Sequence, residues 1–165
     1  MENIFLIGFM GAGKSTVAKT LQEKLKMNLV EMDARIVEEQ GMSINDIFAK
    51  YGEDYFRDIE SRLILDIGKE GNTIVSCGGG VVVREKNIEY MKQNGKVVYL
   101  SATPETIYNR VKDSTDRPIL NGHMSVEYIA ELMENRRALY EAAADITIHT
   151  DGRTTEEICE EIMGT

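Results

Sequence analysis

The segment Gly8-Phe9-Met10-Gly11-Ala12-Gly13-Lys14-Ser15 limits what this chain can fold into more than any other. It fills every fixed position of the pattern G-x-x-x-x-G-K-[ST], and Thr16 follows. Ahead of it, Ile4-Phe5-Leu6-Ile7 is a short apolar run that reads as a buried strand. Behind it, Val17, Leu21 and Leu25 recur at i, i+4 and i+8, one face of a helix starting near Lys14. Strand, glycine loop and helix in that order make an anion site. Glycines at 8, 11 and 13 let successive amides face one centre, and the helix start adds unpaired donors and the positive end of its dipole. A nucleoside triphosphate site is the reading, with Gly11, Ala12, Gly13, Lys14, Ser15 and Thr16 around the phosphates. Lys14 would reach the β- and γ-phosphates, and the Ser15 hydroxyl would ligate Mg²⁺.

The remainder of the chain alternates strand and helix patterns. Strands are expected at 29–32 (ending at Asp33), 73–76, 97–100 and 146–148. Between them fall a short helix around Ile36 and Val37 closed by Gly41, another opened by Ser43 and Asp46, and a longer one over 53–69. That longer helix carries Tyr55, Phe56, Ile59, Leu63 and Ile67 on its apolar side. Further helices are expected near 85–93, 104–112, 125–143 and from about Thr154. Such alternation predicts an α/β fold, a mostly parallel sheet with helices on both faces. Ligands of these sheets gather at the C-terminal ends of the strands. Asp33, Gly78-Gly79-Gly80 and the glycine loop should therefore be neighbours.

At 165 residues, 42% of them hydrophobic, the chain is expected to be one domain, 1–165, with a substantial core. A net charge of −9 argues against nucleic acid or an anionic membrane as the main partner. Cys77 and Cys159 form no metal or disulfide pattern, and no signal peptide or membrane span is visible. A cytoplasmic protein is the expectation.

The metal's carboxylate has few candidates. Only Glu31 and Asp33, and more remotely Asp151, close an expected strand with an acid. Two apart on an extended chain, Glu31 and Asp33 would project to the same side. An ordinary helix N-cap at Asp33 and an exposed strand position at Glu31 fit the spacing equally. Arg136 falls within the stripe Ile129, Leu132, Met133, Tyr140 and Ala143, and an inward guanidinium needs an anion, either a ligand or a structural partner. Arg57 lies off the apolar side with Glu53 at i−4, the pattern of a solvated ion pair. The triple glycine is either a flexible turn or a place where a ligand approaches the backbone. The polar span from Lys112 to Met124 reads as a mobile loop carrying Arg117, held out of helix by Pro118. His123 and His149 have no partners that suggest a catalytic or metal role.

These residues together resemble the shikimate kinase family over nearly the whole chain. The resemblance rests on the glycine loop, Asp33, Phe56-Arg57-Asp58-Ile59-Glu60, Gly78-Gly79-Gly80, Arg117-Pro118 and Arg136-Arg137-Ala138-Leu139-Tyr140. It implies a three-layer αβα fold of the nucleoside monophosphate kinase type, with a five-stranded parallel sheet in the order 2-3-1-4-5 and a mobile lid at about 112–124. It implies transfer of the ATP γ-phosphate to the 3-hydroxyl of shikimate, on the route to aromatic amino acids, by a monomer acting on small molecules. Arg57 and Arg136 would then clamp the acceptor carboxylate beside Gly78, Gly79 and Gly80, with Asp33 in the acceptor-binding region 33–60 taking the hydroxyl proton. Lys14 and Arg117 would offset charge on the transferring phosphoryl, and Arg110 and Arg153 would border the nucleotide. Where the family usually has aspartate, this chain has Glu31, expected to reach Mg²⁺ through water. A related small-molecule kinase, such as a gluconate kinase, and a catalytically silent nucleotide-binding module are the alternatives.

Overall fold

The computed structural model describes residues 2–112 and 125–165. The lid expected at about 112–124, with Arg117, Pro118 and His123, lies outside the described residues apart from Lys112. A parallel sheet of five strands is built from β1 (Asn3–Ile7), β2 (Asn28–Glu31), β3 (Thr73–Ser76), β4 (Gly95–Ser101) and β5 (Ile146–His149) in the order β2-β3-β1-β4-β5. β1 is central, flanked by β3 and β4, which is why its residues Phe5, Leu6 and Ile7 are fully buried on both faces. Successive side chains point to opposite faces, and each face has its own core. Phe5, Ile7, Val75, Val97 and Tyr99 pack on one side, Leu6, Ile74, Val98 and Leu100 on the other.

Helix α1 (Lys14–Leu25) and the terminal α8 (Thr155–Met163) cover the second face through Val17, Leu21, Ile158 and Ile162. The first face is covered by α2 (Met32–Gln40), α3 (Ile44–Tyr51), α4 (Glu53–Glu70) and α5 (Glu85–Asn94) through Ile36, Ile47, Ile64 and Met91. α6 (Pro104–Val111) packs on the second core, while α7 (Val126–Ala143) contributes Ile129 to the second and Tyr140 and Ala143 to the first. Local chemistry sets the ends. Ser43, Thr103, Ser125 and Thr154 each accept a backbone N–H with the side chain at a helix start, and Thr154 with Glu157 completes a capping box. Gly41 closes α2 in the left-handed conformation, as expected. Among the described residues no helix is long and apolar enough to cross a membrane.

Two expectations need correction. Strand β2 stops at Glu31, and Met32 already opens α2, so Asp33 lies in the first turn of a helix. Tyr55 is exposed rather than on the buried face of α4, and Arg57 and Glu60 are buried instead. The buried face is turned towards Phe56, Arg57, Glu60, Ser61 and Ile64, so polar residues interrupt the apolar periodicity that sequence reading depends on.

Candidate active site

The P-loop folds as its glycines require. Gly11 and Gly13 have φ of 81° and 97°, and Gly13 leads into α1 with no side-chain cap, leaving the amides of the first turn for an anion. Lys14 is buried against this loop, its Nζ donating to the carbonyls of Gly8 at 2.7 Å and Phe9 at 3.0 Å. Arg110 reaches over from α6 and donates to the carbonyl of Gly11 at 2.8 Å.

A cleft of about 400 Å³ opens beside the loop and brings in Glu31, Asp33, Ser76, Cys77 and Gly79 along with Lys14, Ser15 and Arg110. The neighbourhood expected from strand ends is thus formed. Its geometric reason differs from the one expected. Glu31 is the extended residue before α2 and Asp33 belongs to the helix, so both reach the cleft from a strand-to-helix corner and not by strand alternation.

Ser15 Oγ donates to Glu31 Oε2 at 2.9 Å, and Glu31 Oε1 is buried with no hydrogen-bond partner. An orphan carboxylate oxygen beside a hydroxyl at the mouth of a phosphate loop fits a hard divalent cation. Among the described residues no group of three or more His, Cys, Asp or Glu side chains could hold a metal alone. That suits Mg²⁺, which takes one or two protein oxygens and completes its shell with phosphate and water. Asp151 is otherwise engaged, accepting from the amide of Thr103 at 3.0 Å.

The triple glycine is a close-approach turn, because each residue faces a charged group. A Cβ on Gly78 would come within 2.8 Å of Asp33 Oδ1 and 3.0 Å of Glu60 Oε2. One on Gly79 would stand 3.8 Å from Arg136 Nη1, and one on Gly80 would collide with the Arg57 guanidinium. The turn therefore gathers two carboxylates and two guanidiniums against bare backbone. Arg57, read from spacing as solvated, is 5% exposed, and its Nη1 meets Glu60 Oε1 at 3.1 Å while Nε meets Glu53 Oε2 at 3.3 Å. Arg136 is half-buried, as its place in the stripe indicated. Arg153 pairs with Glu161 at 2.7 Å and donates to the carbonyls of His149 and Glu157, away from the residues that line the cleft.

Glu60 was quoted in the family pattern but given no part by sequence reasoning. It is fully buried, with Oε2 unpartnered. Burial pushes its pKa up to about 7, with Asp33 adding to the shift while Arg57 and Arg136 oppose it. The signal was available: Glu60 stands at i+4 from Phe56 and i−3 from Leu63, an acid on a core-facing row. Cys77, on the cleft floor, has its thiol pushed up by burial and is inert as a nucleophile.

The raised Glu60 pKa gives a stability prediction. A carboxyl whose folded pKa lies above its unfolded value favours the fold when protonated. Its contribution is complete below about 4.5 and is lost as pH rises through about 7. Relative to Glu60→Gln, the wild-type chain should lose about 3 kcal/mol of unfolding free energy between those limits. Urea melts of both at pH 5 and pH 8 measure it; a difference that does not change with pH would rule the buried titration out.

A phosphate loop at the C-terminal end of the central strand of a parallel sheet, beside a glycine turn that faces two guanidiniums and two carboxylates, defines a P-loop phosphotransferase acting on a small anionic acceptor. The sequence bears this out. A family description of shikimate kinase matches residues 10–165. The chain is 49% identical to a shikimate kinase of Dehalococcoides mccartyi over 98% of this chain and 91% of that one, and 44% identical to one of Persephonella marina over 99% and 98%. It therefore belongs to the shikimate kinase family, whose members are ATP-dependent phosphotransferases. Among solved structures, the shikimate kinase of Acinetobacter baumannii in complex with shikimate superposes with a TM-score of 0.94 at 32% identity, covering 99% of this chain and 91% of that one. A gluconokinase from Sinorhizobium meliloti, at 16% identity and a TM-score of 0.61 over 99% and 90%, shares the fold alone.

Proposed function

We propose that this chain transfers the γ-phosphate of ATP to the 3-hydroxyl of shikimate, giving shikimate 3-phosphate and ADP. The observation that carries the reading is the triple-glycine turn, which sets Arg57, Arg136 and Asp33 around bare backbone next to the P-loop. In this reading the two guanidiniums take the acceptor's carboxylate bidentately, with the backbone of Gly78, Gly79 and Gly80 close against it. Asp33, exposed at the cleft, accepts the proton of the attacking hydroxyl. As the hydroxyl oxygen bonds to the γ-phosphorus, the bond to the bridging oxygen breaks and ADP leaves.

Gly11, Ala12, Gly13 and Thr16 surround the phosphates with amides, and Lys14 exchanges the carbonyls of Gly8 and Phe9 for phosphate oxygens. Ser15, and Glu31 through water, would hold Mg²⁺, which when bound offsets the charge of the phosphates. Arg110 walls the nucleotide side, and the turn held by Arg153 borders the base. One domain, 1–165, does this as a monomer, and the acidic chain takes small molecules rather than nucleic acid or a membrane as partners.

The test is ADP release from Mg-ATP with shikimate, with gluconate and with no acceptor. Release with shikimate alone is expected. Release with gluconate alone would overturn the carboxylate clamp as drawn, and no release with any acceptor would leave a silent nucleotide-binding module.

A further inference from the structure

Tyr140, on α7, has no part in the reaction as drawn, yet it is 1% exposed and sits between the acceptor-side groups and the sheet. Long side chains on a helix lean towards its N-terminus, which brings the Tyr140 hydroxyl back to Arg136 one turn earlier. The hydroxyl donates to the carbonyl of Gly79, and the Arg136 guanidinium lies against the same turn, its Nη1 3.8 Å from where a Cβ on Gly79 would stand. The ring lies on Tyr99, centroids 5.0 Å apart and planes at 21°, and Tyr99 in turn pairs with Ile7 of the central strand.

The Gly79 bond completes a set. The carbonyl of Gly78 accepts from the amide of Val81 at 3.1 Å, and that of Gly80 from Val83 at 3.0 Å. With Gly79 held by Tyr140, all three carbonyls of the turn are fixed. Across a planar trans peptide the next amide points the opposite way, so the N–H groups of Gly79 and Gly80 are aimed by these bonds. The two bonds inside the turn come with the backbone itself; the middle one depends on a side chain.

We propose that Tyr140 is a positioning residue for acceptor binding: its hydroxyl ties the Gly79 carbonyl to α7, which carries Arg136 one turn earlier, and so holds the guanidinium and the glycine turn in one fixed relation. The inference rests on the acceptor-site reading above. Burial pushes the phenol up to about 12, so the hydroxyl stays protonated, and a donor, across the working pH range.

Tyr140→Phe keeps the ring and its stack on Tyr99 and removes only the oxygen bonded to Gly79. Steady-state kinetics should show the acceptor KM raised roughly tenfold, with kcat and the ATP KM within about twofold of wild type and Tm nearly kept. Acceptor affinity measured without nucleotide should weaken by the same factor. An unchanged acceptor KM would overturn the proposal, and so would a parallel loss of kcat, both KM values and Tm, which marks a general packing defect. Should Tyr140→Phe fail to fold, Tyr99→Leu, which removes the brace and keeps the hydroxyl, must raise the acceptor KM alone or the proposal fails. If wild type itself releases no ADP with shikimate, the functional reading falls first. If wild type is active and Tyr140→Phe matches it, only the positioning role falls.

Discussion

Lys14→Ala should lower kcat by on the order of 10²–10³ while leaving the fold intact. Its ammonium is buried at the centre of the P-loop and bonded to the carbonyls of Gly8 and Phe9, so it is already directed at the place where phosphate charge develops. The strength of the effect comes from its being a preformed charge in a partly dehydrated site, where Coulomb interaction is less screened than in water. Alanine leaves the loop's glycines and the capless start of α1 unchanged, so ATP should still bind, more weakly. ADP release, nucleotide affinity and Tm measured together check this. Turnover within a few-fold of wild type would count against any role of Lys14 in the transition state.

Arg57→Ala should have the largest effect on stability. Its guanidinium is buried against Glu60 and holds that acid back from protonation; without it Glu60 takes up a proton and its Oε1 loses its partner, at a cost of about 1–3 kcal/mol. The same change should raise the acceptor KM steeply, since one half of the carboxylate clamp is lost. The two consequences are separable. In Arg57→Ala with Glu60→Gln the buried acid is gone, so chemical denaturation should show much of the stability recovered while the acceptor KM stays high. Recovery of both together would mean that Arg57 acts only as a structural partner of Glu60.

The comparison of α4 with the P-loop shows what sequence could and could not reveal. The P-loop was legible because phosphate binding here is done by backbone, and glycine spacing is a direct record of backbone conformation. Strand and helix alternation was legible for a similar reason, since hydrophobic period reports burial and burial reports the layers. The strand order came only with the family resemblance. On α4 the period misled: Tyr55 was placed inside and Arg57 outside, whereas the structure does the reverse. Arg57 and Glu60 are buried against the glycine turn, distant in sequence, and no local pattern records that. The same limit hid Tyr140, whose hydroxyl finds its partner 61 residues away. Glu31 and Asp33 were placed correctly in the cleft but by a mistaken strand argument, since the backbone turns into α2 between them.

The glycine turn also sets a conflict between durability and recognition. Exchanging glycine for alanine where the backbone allows it normally stabilises a protein by about 0.4–1 kcal/mol, because the unfolded chain has less freedom to lose. At Gly80 the added methyl would occupy the place of the Arg57 guanidinium, and at Gly78 it would crowd Asp33 and Glu60, whereas at Gly79 it meets only ordinary contacts. The flanking positions are therefore closed to that route by charges rather than by backbone shape. A lineage under heat selection would have to harden this protein elsewhere, and Gly78 and Gly80 would stay glycine for the sake of the charged groups beside them.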